Sequence, residues 1–420
     1  MSKINIILYA IIIICFYDIC DAEFDKFQTF EKIKFSESGD EITNFIIGNI
    51  KFSNEFMYCN FPRTNNTLKF TFTIRDIDRK DEVFLPYPNQ TLNEFEKNNC
   101  DRLISVISFE IDKDDNLYIL DEGKYNNSRK CAPKLIIYNK GNEIQKYELN
   151  ESIIYKNNLQ LEDILIDQIN NYIYISYHEN NANGIFLMHN DTNQKIKKLL
   201  YNDSRLNEEN GYIVHIKGKE RLPKDKKKIK SMGLSCDGEA FFFCFITSKM
   251  IYSILTKEIY RLYRVTKDEE IKIEDISIHE AYKNDSTSAI IYSNMGNLFL
   301  AGLENNKIYS YDLIDNDLSR FDYKGLRPLT TDEDIIFPDK MTIYDGKIYL
   351  LTSDLRSSKY TIYSDTIDEK SYIYGCAGLK YQFNLSFYIM LGIFFLILLF
   401  VITFVIVGNI QDKDINKKNN

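Results

Sequence analysis

One hairpin pattern is repeated six times along this chain, and no other feature limits the fold as strongly. In each copy an alternating apolar strand meets a turn rich in Asn, Asp or Gly, and an apolar-aromatic-apolar strand returns. The copies are Ile46–Phe61, Ser105–Leu120, Asp163–Ser176, Ser231–Phe245, Ser288–Leu300 and Asp339–Leu351. Their aromatic anchors, Tyr58, Tyr118, Tyr174, Phe242, Phe299 and Tyr349, lie 60, 56, 68, 57 and 50 residues apart. Asp114-Asp115-Asn116, Asn170-Asn171, Asp237-Gly238 and Asp345-Gly346 occupy turns, and such residues accept the positive φ that tight hairpins require. A period of this length leaves room for two further strands per unit. The predicted fold is all-β: a six-bladed β-propeller of four-stranded blades over 41–375, preceded by an N-terminal segment, 23–40. Two stacked β-sandwiches are the alternative, and they would make the regular spacing a coincidence. A composition with 30 Tyr, 28 Phe and no Trp suits strands.

The two ends set the expected compartment. Lys3, the apolar run Ile4–Tyr17, and Cys20 and Ala22 at positions −3 and −1 read as a signal peptide over 1–22. Residues 385–408 carry no charge, and a helix of that length rises about 36 Å, enough to cross a hydrocarbon core of about 30 Å. Lys413, Lys417 and Lys418 follow it and orient the tail, 409–420, to the cytoplasm. The expectation is a type I membrane glycoprotein with a juxtamembrane segment at 376–384 and one transmembrane helix at 385–408. Lys417 and Lys418 form a dilysine ER-retrieval pattern, so both the ER and the cell surface stay open. The formal charge of −9 argues against a nucleic-acid partner. Cys59, Cys100, Cys131, Cys236, Cys244 and Cys376 remain after cleavage, an even set for an oxidising lumen. Glycosylation sequons stand at Asn65, Asn89, Asn126, Asn150, Asn190, Asn202 and Asn284; an eighth, Asn384, abuts the membrane.

Certain words recur in a fixed order. Asn60-Phe61-Pro62-Arg63 closes the first hairpin, and Pro86-Tyr87-Pro88-Asn89 follows. Asn99-Cys100, Ser105-Val106, Asp112, Leu117–Lys124 and Cys131–Leu135 come next. Met232-Gly233-Leu234-Ser235, Thr247–Ser253 and Phe337-Pro338-Asp339 complete a series from about 45 to 355. This series resembles the yellow/major royal jelly protein family. Ser108 departs from it, standing where an Arg is usual, and Phe337 replaces a usual Trp. The resemblance implies a six-bladed propeller and a Cys100–Cys131 disulfide. The pairing of Cys59, Cys236, Cys244 and Cys376 stays open; Cys59 with Cys376 is one geometric candidate, because the last blade of a propeller abuts the first.

Counting back ten to thirteen residues from each anchor gives the channel end of each inner strand: Gly48, Ser105, Asp163, Ser231, Ser288 and Asp339. Ser105, Asp163, Ser231, Ser288 and Asp339 are therefore the ligand-binding candidates. The plainest reading is that these groups hold channel water. A second reading is that the two carboxylates bind a cationic amine against aromatic walls, which the resemblance supports. A third places Ca²⁺ between Asp163 and Asp339, although Ser231 stands where the similar gluconolactonase-type propellers have a ligating Asn. The resemblance also implies an enzymatic alternative, a dopachrome isomerase or a metal-dependent lactonase; no nucleophile elbow or zinc motif accompanies it. The basic run Lys217–Lys230 is either a polyanion grip or a solvated loop. The expected work is binding, of a small ligand in the channel or a protein on the loop face, with adhesion or a scaffold role as the remaining option.

Overall fold

Among the described residues, six four-stranded antiparallel sheets form the blades of a propeller. The computed structural model describes residues 24–367 except 64–67, 80, 98, 150–158, 180–181, 191–194, 202–213, 217–219, 222–227, 247, 268–269, 272–275, 294–295, 313–322, 331–334, 336 and 354–358. Blade one comprises Asn49–Ser53, Phe56–Asn60, Phe72–Asp76 and Leu85–Pro86. Blade two comprises Val106–Ile111, Asn116–Asp121, Lys134–Asn139 and Asn142–Glu148. Blade three is built from Gln160–Asp167, Tyr172–Glu179, Ala182–His189 and Ile196–Leu199, and blade four from Ile229–Leu234, Ala240–Phe245, Met250–Leu255 and Ile278–Tyr282. Blade five follows with Thr287–Tyr292, Asn297–Gly302, Lys307–Asp312 and Arg327–Thr330. The six predicted hairpins are the first two strands of the six blades. Their turns use the expected chemistry: Asn54, Asp115, Asn171, Gly238, Gly296 and Asp345 all adopt positive φ.

Blade six departs from the expected boundaries. Pro338–Tyr344, Lys347–Ser353 and Tyr360–Thr366 supply three strands, and Asp25–Phe30 supplies the fourth. The segment read as preceding the propeller is thus part of it. Asp25 lies opposite Ser364 and Phe30 opposite Tyr360. The pairing joins the two ends of the repeat array and leaves no unfinished three-stranded blade.

Alternation along each strand sends successive side chains to the two neighbouring blades. In blade two, Tyr118 and Leu120 pack with Ile173 and Ile175 of blade three, while Leu117 and Ile119 pack with Phe72 of blade one. Comparable apolar layers lie between blades three and four, four and five, five and six, and six and one. The core is therefore six layers in a ring. The first strands neighbour one another from blade one through blade six and back to blade one, and surround the hub.

In an antiparallel meander the first-to-second and third-to-fourth turns share one face, here the hairpin face. Second-to-third turns and blade-to-blade connections share the other, the loop face. Cys100 and Cys131 are bonded on the loop face, as the resemblance implied. Cys59 is not paired as expected: it is a buried free thiol in blade one, as Cys244 is in blade four. Burial pushes the Cys59 thiol up to about 12, against the pull of Arg75. Cys236 is disulfide-bonded. No described helix is long and apolar enough to cross a membrane. Residues 1–22, 376–384, 385–408 and 409–420 lie outside the described residues.

Phe30 tests the closure. It is wholly buried, and its ring lies 5.3 Å from those of Phe84 and 5.3 Å from the Arg75 guanidinium carbon. Phe30→Ala is expected to cost about 3–5 kcal/mol, read as a lowered urea midpoint. A midpoint unchanged from the parent protein would show that the ring does not depend on this strand.

Candidate functional site

The hub is shaped by one irregularity repeated in five blades. The register of the first strand shifts between Val106 and Ser108, Leu161 and Asp163, Ile229 and Ser231, Thr287 and Ala289, and Pro338 and Lys340. A bulge inserts one extra residue and bends its strand, so a rigid residue count loses register there. The extra residues are Ile107, Glu162, Lys230, Ser288 and Asp339, and three of them are charged.

Asp163 is the centre of the hub. Its Oδ1 accepts a hydrogen bond from Ser108 Oγ at 2.8 Å and lies 2.9 Å from Lys340 Nζ. Ser108 is held by Asn49, whose Nδ2 donates to Ser108 Oγ at 3.5 Å and to the Phe109 carbonyl at 3.2 Å. Blades three and six stand opposite each other in the ring, so the Asp163–Lys340 bridge crosses the hub. Asp163 is 8% exposed and Lys340 is 6% exposed; a lone charge of either kind would be costly there.

Asp339 is paired as well, with Lys230 Nζ at 3.1 Å. Glu162 is paired with Lys228. Burial opposes the Lys230 charge, but the carboxylates of Asp339, Glu162 and Asp163 outweigh it and raise its pKa above the ordinary lysine value. Three carboxylates thus face three lysines. Lys228 and Lys230 belong to the basic run and turn into the hub; Lys217, Lys219, Lys224, Lys226 and Lys227 lie outside the described residues.

The remaining candidates are spent on holding the chain together. Ser231 Oγ accepts from the Ile290 amide at 3.0 Å and so ties blade four to blade five. Ser288 donates to the Pro338 carbonyl and ties blade five to blade six. Ser105 precedes its strand and lies outside the hub network: its Oγ accepts from the Arg63 amide at 2.8 Å. Arg63 is wholly buried. Its guanidinium donates to the carbonyls of Leu103 at 3.0 Å, Ile104 at 2.8 Å and Asn93 at 2.5 Å. Burial pulls its pKa down to about 10, against Asp121 and Tyr125. The Asp121 carboxylate in turn receives the amides of Ile104, Ser105 and Gly123. Gly123 has φ +72°, and a Cβ there would meet the Cys131 carbonyl oxygen at 2.2 Å. The Pro-Arg and Asp-Glu-Gly words are therefore a knot between blades one and two.

Asn49, Ser108, Glu162, Lys228, Lys230 and Lys340 were not among the candidates. One signal could have found three of them. Glu162-Asp163, Lys230-Ser231 and Asp339-Lys340 are polar doublets that interrupt alternation at the start of an inner strand.

These residues do not fit a calcium site. Calcium takes six to eight oxygen ligands, yet both hub aspartates are held by ammonium groups. Among the described residues no three His, Cys, Asp or Glu side chains converge as a metal ion requires.

A model of the family "Major royal jelly protein" matches residues 104–384. The protein "Major royal jelly protein 7" of Apis mellifera is 24% identical over 233 residues, which is 53% of this chain and 49% of that protein. The matched region thus spans about half the length of that relative. Among solved structures, a luciferin-regenerating enzyme overlaps 82% of this chain and 95% of its own at 8% identity and a TM-score of 0.45. A calcium-binding regucalcin of Agrobacterium tumefaciens overlaps 83% and 96% at 9% identity and a TM-score of 0.45. Structural overlap at that level carries no argument about activity.

A second buried lysine supplies a pH test. Lys283, between blades four and five, donates to the carbonyls of Ser248 at 2.5 Å and Asp285 at 2.8 Å. Burial lowers its pKa to about 8, against Cys244, Asp285 and Glu304. Between pH 8 and about 10.5 the unfolded chain keeps a proton that the folded chain has released, so stability rises with pH. Relative to Lys283→Met, the parent protein is expected to gain about 1–2 kcal/mol between pH 7.5 and 9.5 in urea denaturation. A constant difference would show that Lys283 stays charged when folded.

Proposed function

The chain belongs to the major royal jelly protein family, and we propose that it is a membrane-anchored recognition propeller of the secretory pathway that binds a protein partner on its loop face. The observation that carries this reading is the charge-matched hub. A cationic amine or Ca²⁺ entering it must displace a lysine, and the groups that would bind such a ligand already bind one another. The loop face offers the alternative surface. It carries the disulfide, the small hairpin of Lys124–Tyr125 and Ser128–Arg129, and the stacked rings of Phe95 and Tyr125, 3.8 Å apart. The reading takes the signal peptide expected at 1–22 and the span expected at 385–408 as support for a luminal or extracellular loop face, and the dilysine pair Lys417 and Lys418 leaves the ER and the cell surface both open.

Calorimetry against dopamine, serotonin and Ca²⁺, with dopachrome and lactone turnover in parallel, is expected to give neither heat nor product. Crosslinking mass spectrometry on expressing cells is expected to join a partner to Lys97 and Lys130 of the loop face. Crosslinks confined to Lys113 and Lys140, on the hairpin face, would refute the assignment. Turnover lost in Asp163→Asn would replace it with the enzymatic reading.

Glycosylation tests the luminal exposure that this reading requires. Asn89, Asn126 and Asn284 are exposed. Asn190 is half-buried: its Nδ2 donates to Tyr118 Oη at 3.2 Å and its Oδ1 accepts from Tyr147 Oη at 3.1 Å. Enzymatic deglycosylation in ¹⁸O water should label Asn89, Asn126 and Asn284 and leave Asn190 unlabelled. Label at Asn190 would show that this tyrosine-bound amide is not formed in the cell. Asn65, Asn150 and Asn202 lie outside the described residues.

A further inference from the structure

The bridge across the hub has the parts of a ligand complex. One side is a carboxylate fixed before anything reaches it: Asp163 Oδ1 takes the Ser108 hydroxyl at 2.8 Å, and Asn49 holds Ser108. The other side is a primary ammonium on an aliphatic stem, Lys340, which arrives from the opposite blade. Lys340 extends past its immediate neighbours to reach this carboxylate. The other hub lysines are already engaged, Lys230 with Asp339 at 3.1 Å and Lys228 with Glu162. Removing Lys340 therefore leaves one buried, preorganised carboxylate without its ion-pair partner, with only the more distant field of Lys230 to offset it.

We propose that Lys340 is an internal ligand: it fills the alkylammonium site of the hub and is the residue that closes this propeller to free amines. The inference deepens the charge-matched reading of the hub and does not need the loop-face partner. Lys340→Ala deletes three methylenes and the ammonium, which is the outline of propylammonium. The variant should accept propylammonium where the parent protein does not.

The experiment follows thermal unfolding and calorimetric heat while propylammonium chloride is added, with sodium chloride and 1-propanol as controls. The parent protein should show no saturable response. Lys340→Ala should unfold at a lower temperature and recover with propylammonium alone. Its folding equilibrium should shift about a hundredfold when the amine reaches 100 times its Kd. Lys340→Ala/Asp163→Asn should not respond. If Lys340→Ala folds only when propylammonium is present during refolding, that dependence is the same result. A folded Lys340→Ala that ignores propylammonium, or a variant that neither folds nor is rescued, overturns the proposal. So does a parent protein that binds the amine through Asp163. Amine binding by the parent protein would sink both readings, whereas a Lys340→Ala that ignores propylammonium would leave a partner crosslinked to Lys97 or Lys130 untouched, so the two failures are told apart.

Discussion

The structure depends on a pairing between residues more than 330 positions apart. Asp25–Phe30 completes the sheet that Tyr360–Thr366 leaves unfinished, and the ring exists because that sheet is shared by both ends of the chain. Without it, blade six would expose the unpaired amides and carbonyls of its outer strand. The apolar layer between blades six and one would also lose Phe30, which packs with Phe84 and lies by Arg75. Every other interface is local by comparison, since each blade packs on the next in sequence.

Around that closure, apolar and polar roles are divided by radius. Between the blades, alternating side chains form six apolar layers that need no directional partners. At the inner edge the strands are too close to the axis for such layers, and polar groups take over. Ser231 and Ser288 join neighbouring blades through backbone groups, while Asp163 and Lys340 join opposite ones. Replacing a buried ion pair by well-packed apolar groups is often neutral or stabilising, so the bridge is better read as fixing which groups meet at the hub than as a source of stability. The same pairing removes the unmatched charge that a small ionic ligand would need.

The hairpins were legible because their turn residues and their alternation say the same thing. Asp115, Asn171, Gly238 and Asp345 are turn formers on chemistry alone, and the strands beside them have a period of two. The closing strand was not legible: Asp-Lys-Phe-Gln-Thr-Phe carries no sign of a partner so distant. The hub was half legible. Asp163, Ser231, Ser288 and Asp339 do lie on inner strands, ten or eleven residues before their anchors. At Tyr118 a count of thirteen selects Ser105, which belongs to the Arg63 knot, and passes over Ser108, ten residues back, which holds Asp163. In the sequence Ser108 stands out only as a departure from the family pattern. The lysines were hidden for another reason, since a basic run reads as solvated surface until its carboxylate partners are known. The disulfide between Cys100 and Cys131 is implied by the resemblance, whereas adjacency of two blades does not by itself specify a sulfur–sulfur bond, and Cys59 is a free thiol.

The closing strand also sets an order of events during biosynthesis. Asp25–Phe30 leaves the ribosome before every other strand of the propeller, yet its partner is made 330 to 339 residues later. At about 5–20 residues per second, that strand waits on the order of half a minute unsatisfied. Five blades can stack in that time, but the toroid cannot lock. Ring closure is thus the capture of the earliest-made strand of the wall by the latest-made one.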